Sequence, residues 1–376
     1  MKIQLHDNKK HLDFAPLSLT RPIGNLRMGV LTNDERWKLL LPDAEIFYET
    51  EDYLSDKFQQ SSEAIVVNAC VIPTKEIAKE VVLLRGNEEL VVEGTWIARS
   101  GTGDILKEFK GKKPVVVNHR WELFQKNAEV LIQDFELLTH GRMSVQLSST
   151  NTIIGDASKI FLEKGAKVEA SILNTTDGPI YIGKNAEIME GSIIRGGLAM
   201  LDNSVLKLGA KIYGATTIGP YCKVGGEVNN VIFFAYSNKG HDGFIGNSLI
   251  GEWCNIGADT NTSNLKNNYG LVKTYSFKTN RIEQTNVQFM GLVMGDHSKC
   301  GINTMFNTAT VVGVSSNVFG AEFPPKYIPS FSWGVKGVNF DFSKAIESSN
   351  NMMIRRGLKL EDDEIAILKH ISNVTG

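Results

Sequence analysis

The sequence predicts a small α/β sheet domain, then a left-handed parallel β-helix over about residues 152–320, then short C-terminal helices. Three observations carry this. Apolar residues recur every sixth position through the middle of the chain. Most of the 35 glycines fall after residue 150, which marks a change of architecture. The first 120 residues instead carry short apolar runs separated by a helical segment. The resulting division is 1–140, 141–325 and 326–376.

In the first part, the runs EIFY (45–48), AIVV (64–67), VVLL (81–84) and PVVV (114–117) have strand length, and 74–80 reads as a helix. Strands alternating with helices favour an α/β layer. The stretch 120–135, RWELFQKNAEVLIQDF, repeats apolar residues at helical spacing and reads as an amphipathic helix leading toward the solenoid.

The repeat begins loosely at Ile154 and Ile160 and becomes regular at Ile182, Ile188, Ile194, Met200, Leu206, Ile212, Ile218 and Val224. Four residues after most of these stands a small residue or a thiol: Ala186, Ser192, Ser204, Ala210, Thr216, Cys222. A period of six fits neither a helix nor a sustained alternating strand. It fits three short strands per coil, each placing one large side chain inward and stacking it on the next coil. The phase then slips to Phe244, Ile250 and Ile256, and again to Met294, Cys300, Phe306, Val312 and Val318. Cys222, Cys254 and Cys300 thus occupy inward slots and read as packed thiols. The breaks at 226–243 and 263–291 are dense in Asn, Lys and aromatic residues and are expected to be side loops, where function is sought. After Pro329, a Trp-containing loop and helices at about 341–354 and 361–372 would cap the solenoid's open edge.

Forty basic against 42 acidic side chains give a net charge of −2, which argues against a nucleic-acid partner. The N-terminus lacks a signal-peptide apolar core and no run of 18 apolar residues occurs, so a cytoplasmic protein with no membrane partner is expected. Four cysteines without CxxC or His spacing make a disulfide framework or structural zinc site poor expectations. Neither GxGxxG after a strand nor GxxxxGK[ST] is present.

The passages LTRPIGNLRMGVLTNDERW (19–37), SNKGHDGFIGNSLIGEWCNIGADTNTSNLKNNY (237–269), GDHSKCGINTMFNTATVVG (295–313) and FPPKYIPSFSWG (323–334) carry a resemblance. The chain resembles the bacterial sugar nucleotidyltransferases related to the bifunctional N-acetylglucosamine-1-phosphate uridyltransferase/glucosamine-1-phosphate acetyltransferase. For the solenoid, the resemblance implies acetyl transfer from acetyl-CoA to an amino-sugar phosphate or nucleotide-sugar-related acceptor, in a homotrimer. The family's catalytic histidine lands on His241, within GHDGFIG. Imidazole suits the removal of a proton from an ammonium near neutral pH. Asn255 and Asn264 match asparagines near the acceptor or thioester, and Lys211, Lys239 and Lys266 are candidate phosphate contacts. Where the family has a tyrosine the chain has Phe244, and a paired-lysine site falls on Asn229 and Asn230, which leaves the acceptor open.

For the first domain, the resemblance implies Mg²⁺-dependent nucleotidyl transfer, uridylyl or thymidylyl, to a sugar 1-phosphate. Thr20, Arg21, Arg27 and Arg36 are the candidate nucleotide-phosphate residues and Asn118 the candidate metal-side residue. The glycines that let backbone N–H groups approach phosphates are missing, and Asn68-Ala69-Cys70 replaces the Gly-Asp that would hold the metal. An acetyl-CoA-dependent N-acyltransferase with a degenerate or atypical nucleotidyltransferase domain is therefore the leading expectation. A nucleotidyltransferase whose β-helix mainly oligomerises it is the alternative, and a non-catalytic scaffold the third.

Overall fold

The computed structural model describes residues 1–375. Two units separate: Met1–Arg27 with Leu31–Arg120, and Met28–Val30 with the chain from Trp121 onward.

In the first unit, six strands form one mixed sheet: β1 (Lys2–His6), β2 (Glu45–Glu49), β3 (Ile65–Asn68), β4 (Glu88–Val92), β5 (Thr95–Arg99) and β6 (Ile105–Glu108), in the order β2-β1-β3-β5-β4-β6. β1 pairs in parallel with β2 and β3, and β5 runs antiparallel to both neighbours. Ile3, Leu5, Val67, Leu90, Ile97 and Ala98 are fully buried along it. Helix α1 (Asn33–Leu40) starts on a Thr32–Glu35 capping box, which satisfies two otherwise orphaned N–H groups. Helix α2 (Lys75–Val82) is capped by Thr74 and turns Ile77, Ala78 and Val81 into the core. The strand expected at 81–84 is therefore the end of α2. Its apolar run is one helical face continued by Leu83, which is 53% exposed. The run 114–117 makes only one isolated bridge, Val71 to Val116.

The second unit is a parallel β-solenoid. Register pairs Ile182 with Met200 and Met200 with Ile218, so one full coil is 18 residues, or three repeats of six. All eight regular apolar positions from Ile182 to Val224 are at most 2% exposed, and their small partners are fully buried. The next steps run from Ile218 to Phe233, then Ile250, then Met294, then Val312. Most of the expected first loop is thus a coil three residues short, with strands Glu227–Phe233 and Asn238–Lys239 in register. The second break is a true insertion carrying an antiparallel hairpin, Lys273–Ser276 with Arg281–Gln284. Two inward assignments change. Ile245 fills the core where Phe244 was expected, and Ile154 lies 45% exposed on the first, irregular coil.

The expected connecting helix breaks at Lys126 into Arg120–Gln125 and α3 (Asn127–Thr139). Asn127, fully buried, fastens α3 to the solenoid: its Nδ2 donates to the Ala215 carbonyl (2.8 Å) and Thr217 Oγ1 (3.2 Å), and its Oδ1 accepts from Gly29 N–H (2.6 Å). The tail forms α4 (Phe342–Ile354) and α5 (Asp362–Thr375), with Ala345, Ser349 and Met353 turned inward.

Candidate active site

Each flat face of a solenoid stacks equivalent positions of successive coils at the strand spacing, about 4.8 Å. On one face, register places Val205 beside Lys223, Lys223 beside Asn238, and Asn238 beside Asn255. This polar ladder floors a cavity of about 610 Å³, whose lining also includes Lys207, His241 and Ile302 from the solenoid and Met352, Arg355 and Arg356 from α4 and the turn after it. That volume lies in the range of small-molecule sites.

His241 stands on the turn leaving the shortened coil, and its side chain is exposed. The turn is held from beneath. Lys239 is 1% exposed and its Nζ donates to the His241 carbonyl (2.7 Å) and the Asp242 carbonyl (3.1 Å). Burial pushes the Lys239 ammonium down to about 8, against the opposing pull of Asp242 and Asp259. The turn also packs on backbone: a Cβ at Gly226 would meet the His241 carbonyl oxygen at 2.9 Å and that of Gly243 at 2.8 Å. Glycine at 226, with φ +74°, lets the two coils approach and sets the height of His241 above the ladder.

Four cations, Lys207, Lys223, Arg355 and Arg356, share the cavity, and no carboxylate of the described residues lines it. None of them makes an ion pair among the described residues. Lys223 is held below the ordinary lysine value by burial, and the neighbouring charges of Arg356, Lys207 and Arg355 push it the same way. Asn238 Oδ1 is shielded from solvent and accepts no hydrogen bond from the described residues.

Among the residues expected from sequence, His241 and Asn255 meet in this cavity, with Lys239 beneath it as an anchor of the turn. The others lie elsewhere. Asn264 Nδ2 donates to Asn247 Oδ1 (2.7 Å), part of an asparagine ladder along the coils. Lys266 Nζ donates to the Leu271 carbonyl (3.4 Å) at the root of the inserted hairpin. Lys211 is exposed, in register with Glu227. Lys207, Lys223, Asn238, Arg355 and Arg356 were not singled out from sequence. The coil length would have brought Lys207 near Lys223, but for the arginines the only signal was a doubled cation at a helix end.

In the first unit, Arg21, Arg27 and Arg36 are buried, at 8%, 8% and 1% exposure. Arg27 pairs with Glu35 (3.3 Å), the capping-box residue of α1, and holds its carboxyl below the usual range against the opposing effect of burial. Thr20 closes a short 3₁₀ turn, and Asn118 precedes the helix starting at Arg120. At the end of β3 the donor set does not fit Mg²⁺. Asn68 stands where a carboxylate would be needed, its Oδ1 accepting from Cys70 N–H and its Nδ2 donating to the Trp96 carbonyl (both 3.0 Å). No group of three or more His, Cys, Asp or Glu side chains is gathered for a metal among the described residues.

Residues 3–143 match the family model described as sugar nucleotidyl transferase. Two curated relatives, both named bifunctional protein GlmU, resemble the chain. The one from Methanocaldococcus jannaschii is 37% identical over 87 residues, 23% of this chain and 21% of the relative. The one from Cupriavidus pinatubonensis is 24% identical over 285 residues, 66% of this chain and 60% of the relative. The chain therefore spans about a fifth and three fifths of these relatives' lengths. Among solved structures, the polysialic-acid-specific acetyltransferase NeuO aligns with a TM-score of 0.26 at 11% identity, covering 50% of this chain and 82% of that one. The first unit is thus a nucleotidyltransferase-like domain, and up to about two thirds of the chain is similar to bifunctional GlmU proteins.

Proposed function

We propose that the solenoid unit is an N-acyltransferase acting on an amino-sugar phosphate or a related nucleotide-sugar acceptor. The observation that carries this reading is one cavity holding His241, a ladder of two asparagines and four cations with no carboxylate. The acyl group would come from acetyl-CoA, which supplies it as an activated thioester. His241 accepts the proton that the acceptor ammonium must lose before it can attack a carbonyl. Asn255, with both donor and acceptor on its amide, orients acceptor hydroxyls or the carbonyl oxygen. Lys239 fixes the backbone of the turn so that the imidazole is presented at a set height. Asn264, Lys211 and Lys266 remain proposed contacts only through assembly of several copies. A homotrimer is the proposed assembly, supported by neighbouring Ile172 and Ile193, 37% and 48% exposed on one face. Light scattering of the purified chain tests it. No helix among the described residues is long and apolar enough to cross a membrane, and a cytoplasmic enzyme is proposed.

The test is thiol release from acetyl-CoA with a panel of amino-sugar 1-phosphates. Wild type should turn over and His241→Ala should lose at least about a hundredfold, the usual worth of general base catalysis. Equal rates for the two proteins would sink the reading.

The family match over residues 3–143 favours a second reading, nucleotidyl transfer to a sugar 1-phosphate by the first unit through Thr20, Arg21, Arg27 and Arg36, with Asn118 near a metal. Pyrophosphate release from nucleoside triphosphates, sugar 1-phosphates and Mg²⁺ judges it. The loss of a carboxylate at Asn68 leads us to expect little or none.

A further inference from the structure

We propose that the C-terminal arginine pair, Arg355 and Arg356, is a specificity element of the acyl-transfer site that clamps a phosphoryl group of the acceptor together with Lys207 and Lys223. The inference rests on the acyltransferase reading for its chemistry, but the anion site itself stands on geometry. Lys207 and Lys223 come from successive coils, since Lys207 N–H donates to the carbonyl of Val224, the residue after Lys223. The arginines come from the C-terminal end of α4, where Met353 is buried. Arg356 is tied to the solenoid by an Nη2 contact to the Tyr221 carbonyl (3.4 Å), two residues before Lys223. Four like charges facing one space with no acid among the lining residues repel one another, and they are relieved when an anion enters. Guanidinium groups present paired donors that match phosphate oxygens.

The acceptor is the partner the geometry favours. The base and the cations share one cavity, so the anion must lie close to the reacting amine. In an amino-sugar phosphate it does. In CoA the long pantetheine arm holds the phosphates far from the thioester. The phosphoryl group could belong to a sugar monophosphate or to the diphosphate of a nucleotide sugar, and the two are separated by the test.

Wild type, Arg355→Gln/Arg356→Gln and Arg355→Lys/Arg356→Lys would be compared in two ways. In steady-state acetyl transfer, the Gln pair should raise KM for the phosphorylated acceptor by about tenfold or more, the worth of a lost charge-assisted contact. KM for acetyl-CoA should hold, and the Lys pair should recover part of the loss. Calorimetric titration of inorganic phosphate and of pyrophosphate into the same proteins reads the anion site without turnover. Tighter pyrophosphate binding would assign a diphosphate, and equal or weaker binding a monophosphate. If wild type does not transfer acetyl groups yet binds phosphate in an arginine-dependent way, the acyltransferase reading falls and the clamp stands. The clamp is overturned if the Gln pair binds phosphate as wild type does, or if its defect is in KM for acetyl-CoA. Matching thermal melts of the variants exclude misfolding as the cause of a loss.

Discussion

Replacing Lys239 by Met tests the anchor beneath His241 through its dependence on pH. The ammonium sits 1% exposed between the His241 and Asp242 carbonyls, and burial lowers its pKa from 10.5 to about 8. At about 1.4 kcal/mol per tenfold change, that displacement corresponds to about 3 kcal/mol. A lysine depressed in the folded state binds fewer protons there than in the unfolded chain at any pH between 8 and 10.5. Its burial cost is therefore fully present below about pH 8 and lifts as pH rises toward 10.5. Wild type gains stability from this group across the window and the Met variant does not. Guanidinium unfolding of both proteins at pH 7 and at pH 10.5 should show the Met variant losing about 3 kcal/mol against wild type between the two conditions. Other lysines and tyrosines titrate in both proteins and cancel in the difference. At pH 7 two effects oppose: Met removes the buried charge but leaves the His241 carbonyl without its donor, at about 1–3 kcal/mol, while the Asp242 carbonyl keeps the Asp259 N–H (3.1 Å). The pH 7 difference should accordingly be small, while acetyl transfer falls because the turn is no longer held. A stability difference that stays flat from pH 7 to 10.5 would refute the buried ammonium, and with it the account of how His241 is positioned.

The remaining predictions concern packing and reach. Gly219→Ala places a Cβ 1.5 Å from the Phe234 carbonyl oxygen, so the coils must part, and thermal denaturation should show a loss of at least about 3 kcal/mol. Leu206→Ala empties a fully buried slot in the solenoid core and should cost about 2–5 kcal/mol by chemical denaturation, without changing the pH profile of activity. Asn127→Ala leaves the Gly29 N–H unpaired in a buried seam, while the Ala215 carbonyl keeps the Asn230 amide, and should cost about 1–3 kcal/mol, with faster hydrogen exchange at α3. All four thiols are buried, and burial raises those of Cys254 and Cys300, so a thiol reagent should label none of them until guanidinium unfolds the chain.

The solenoid was legible because its constraint repeats. An inward slot must be apolar at every coil, so eight residues in phase identify both the coil and its core. The same logic failed where one coil is three residues short. A deletion destroys the sixfold count, yet Glu227–Phe233 still pairs on both sides, because pairing needs parallel strands and not equal coil lengths. In the first unit β1, β4, β5 and β6 went unread; KIQLH at β1 is a short run at the start of the chain that alternates apolar with polar residues. EELVV, TWIAR and ILKE mix charge with apolar residues because the far edge of that sheet is half exposed. His241 and Asn255 were visible from resemblance alone. Arg355 and Arg356 could not be placed from sequence, since nothing local says which coil a helix more than a hundred residues later will cover.

What keeps the polar ladder in shape lies two residues upstream of each rung. Tyr221, Tyr236 and Trp253 precede Lys223, Asn238 and Asn255, and all three take left-handed backbone, at φ 59°, 54° and 58°. Lower coils fill the same corner with Asn185 and Asn203, the side chain that tolerates this conformation best. Aromatic residues there cost on the order of 1 kcal/mol each. The rings repay this by stacking, with centroids 5.0 and 4.1 Å apart and planes within 5°. Each stack contributes about 0.5–1.5 kcal/mol beyond burial, enough to offset much of the strain. The exchange of asparagine for aromatic occurs on the three coils that carry the ladder and once more at Phe331 near the last coil, and the Tyr221 carbonyl also receives Arg356. Stacked corners resist the rocking of one coil against the next, so the spacing of Lys223, Asn238 and Asn255 is set by the rings as well as by backbone pairing. A site built on a repeat needs such a departure: the repeat supplies the spacing, and the strained aromatic corner fixes it where a ligand must be held against His241.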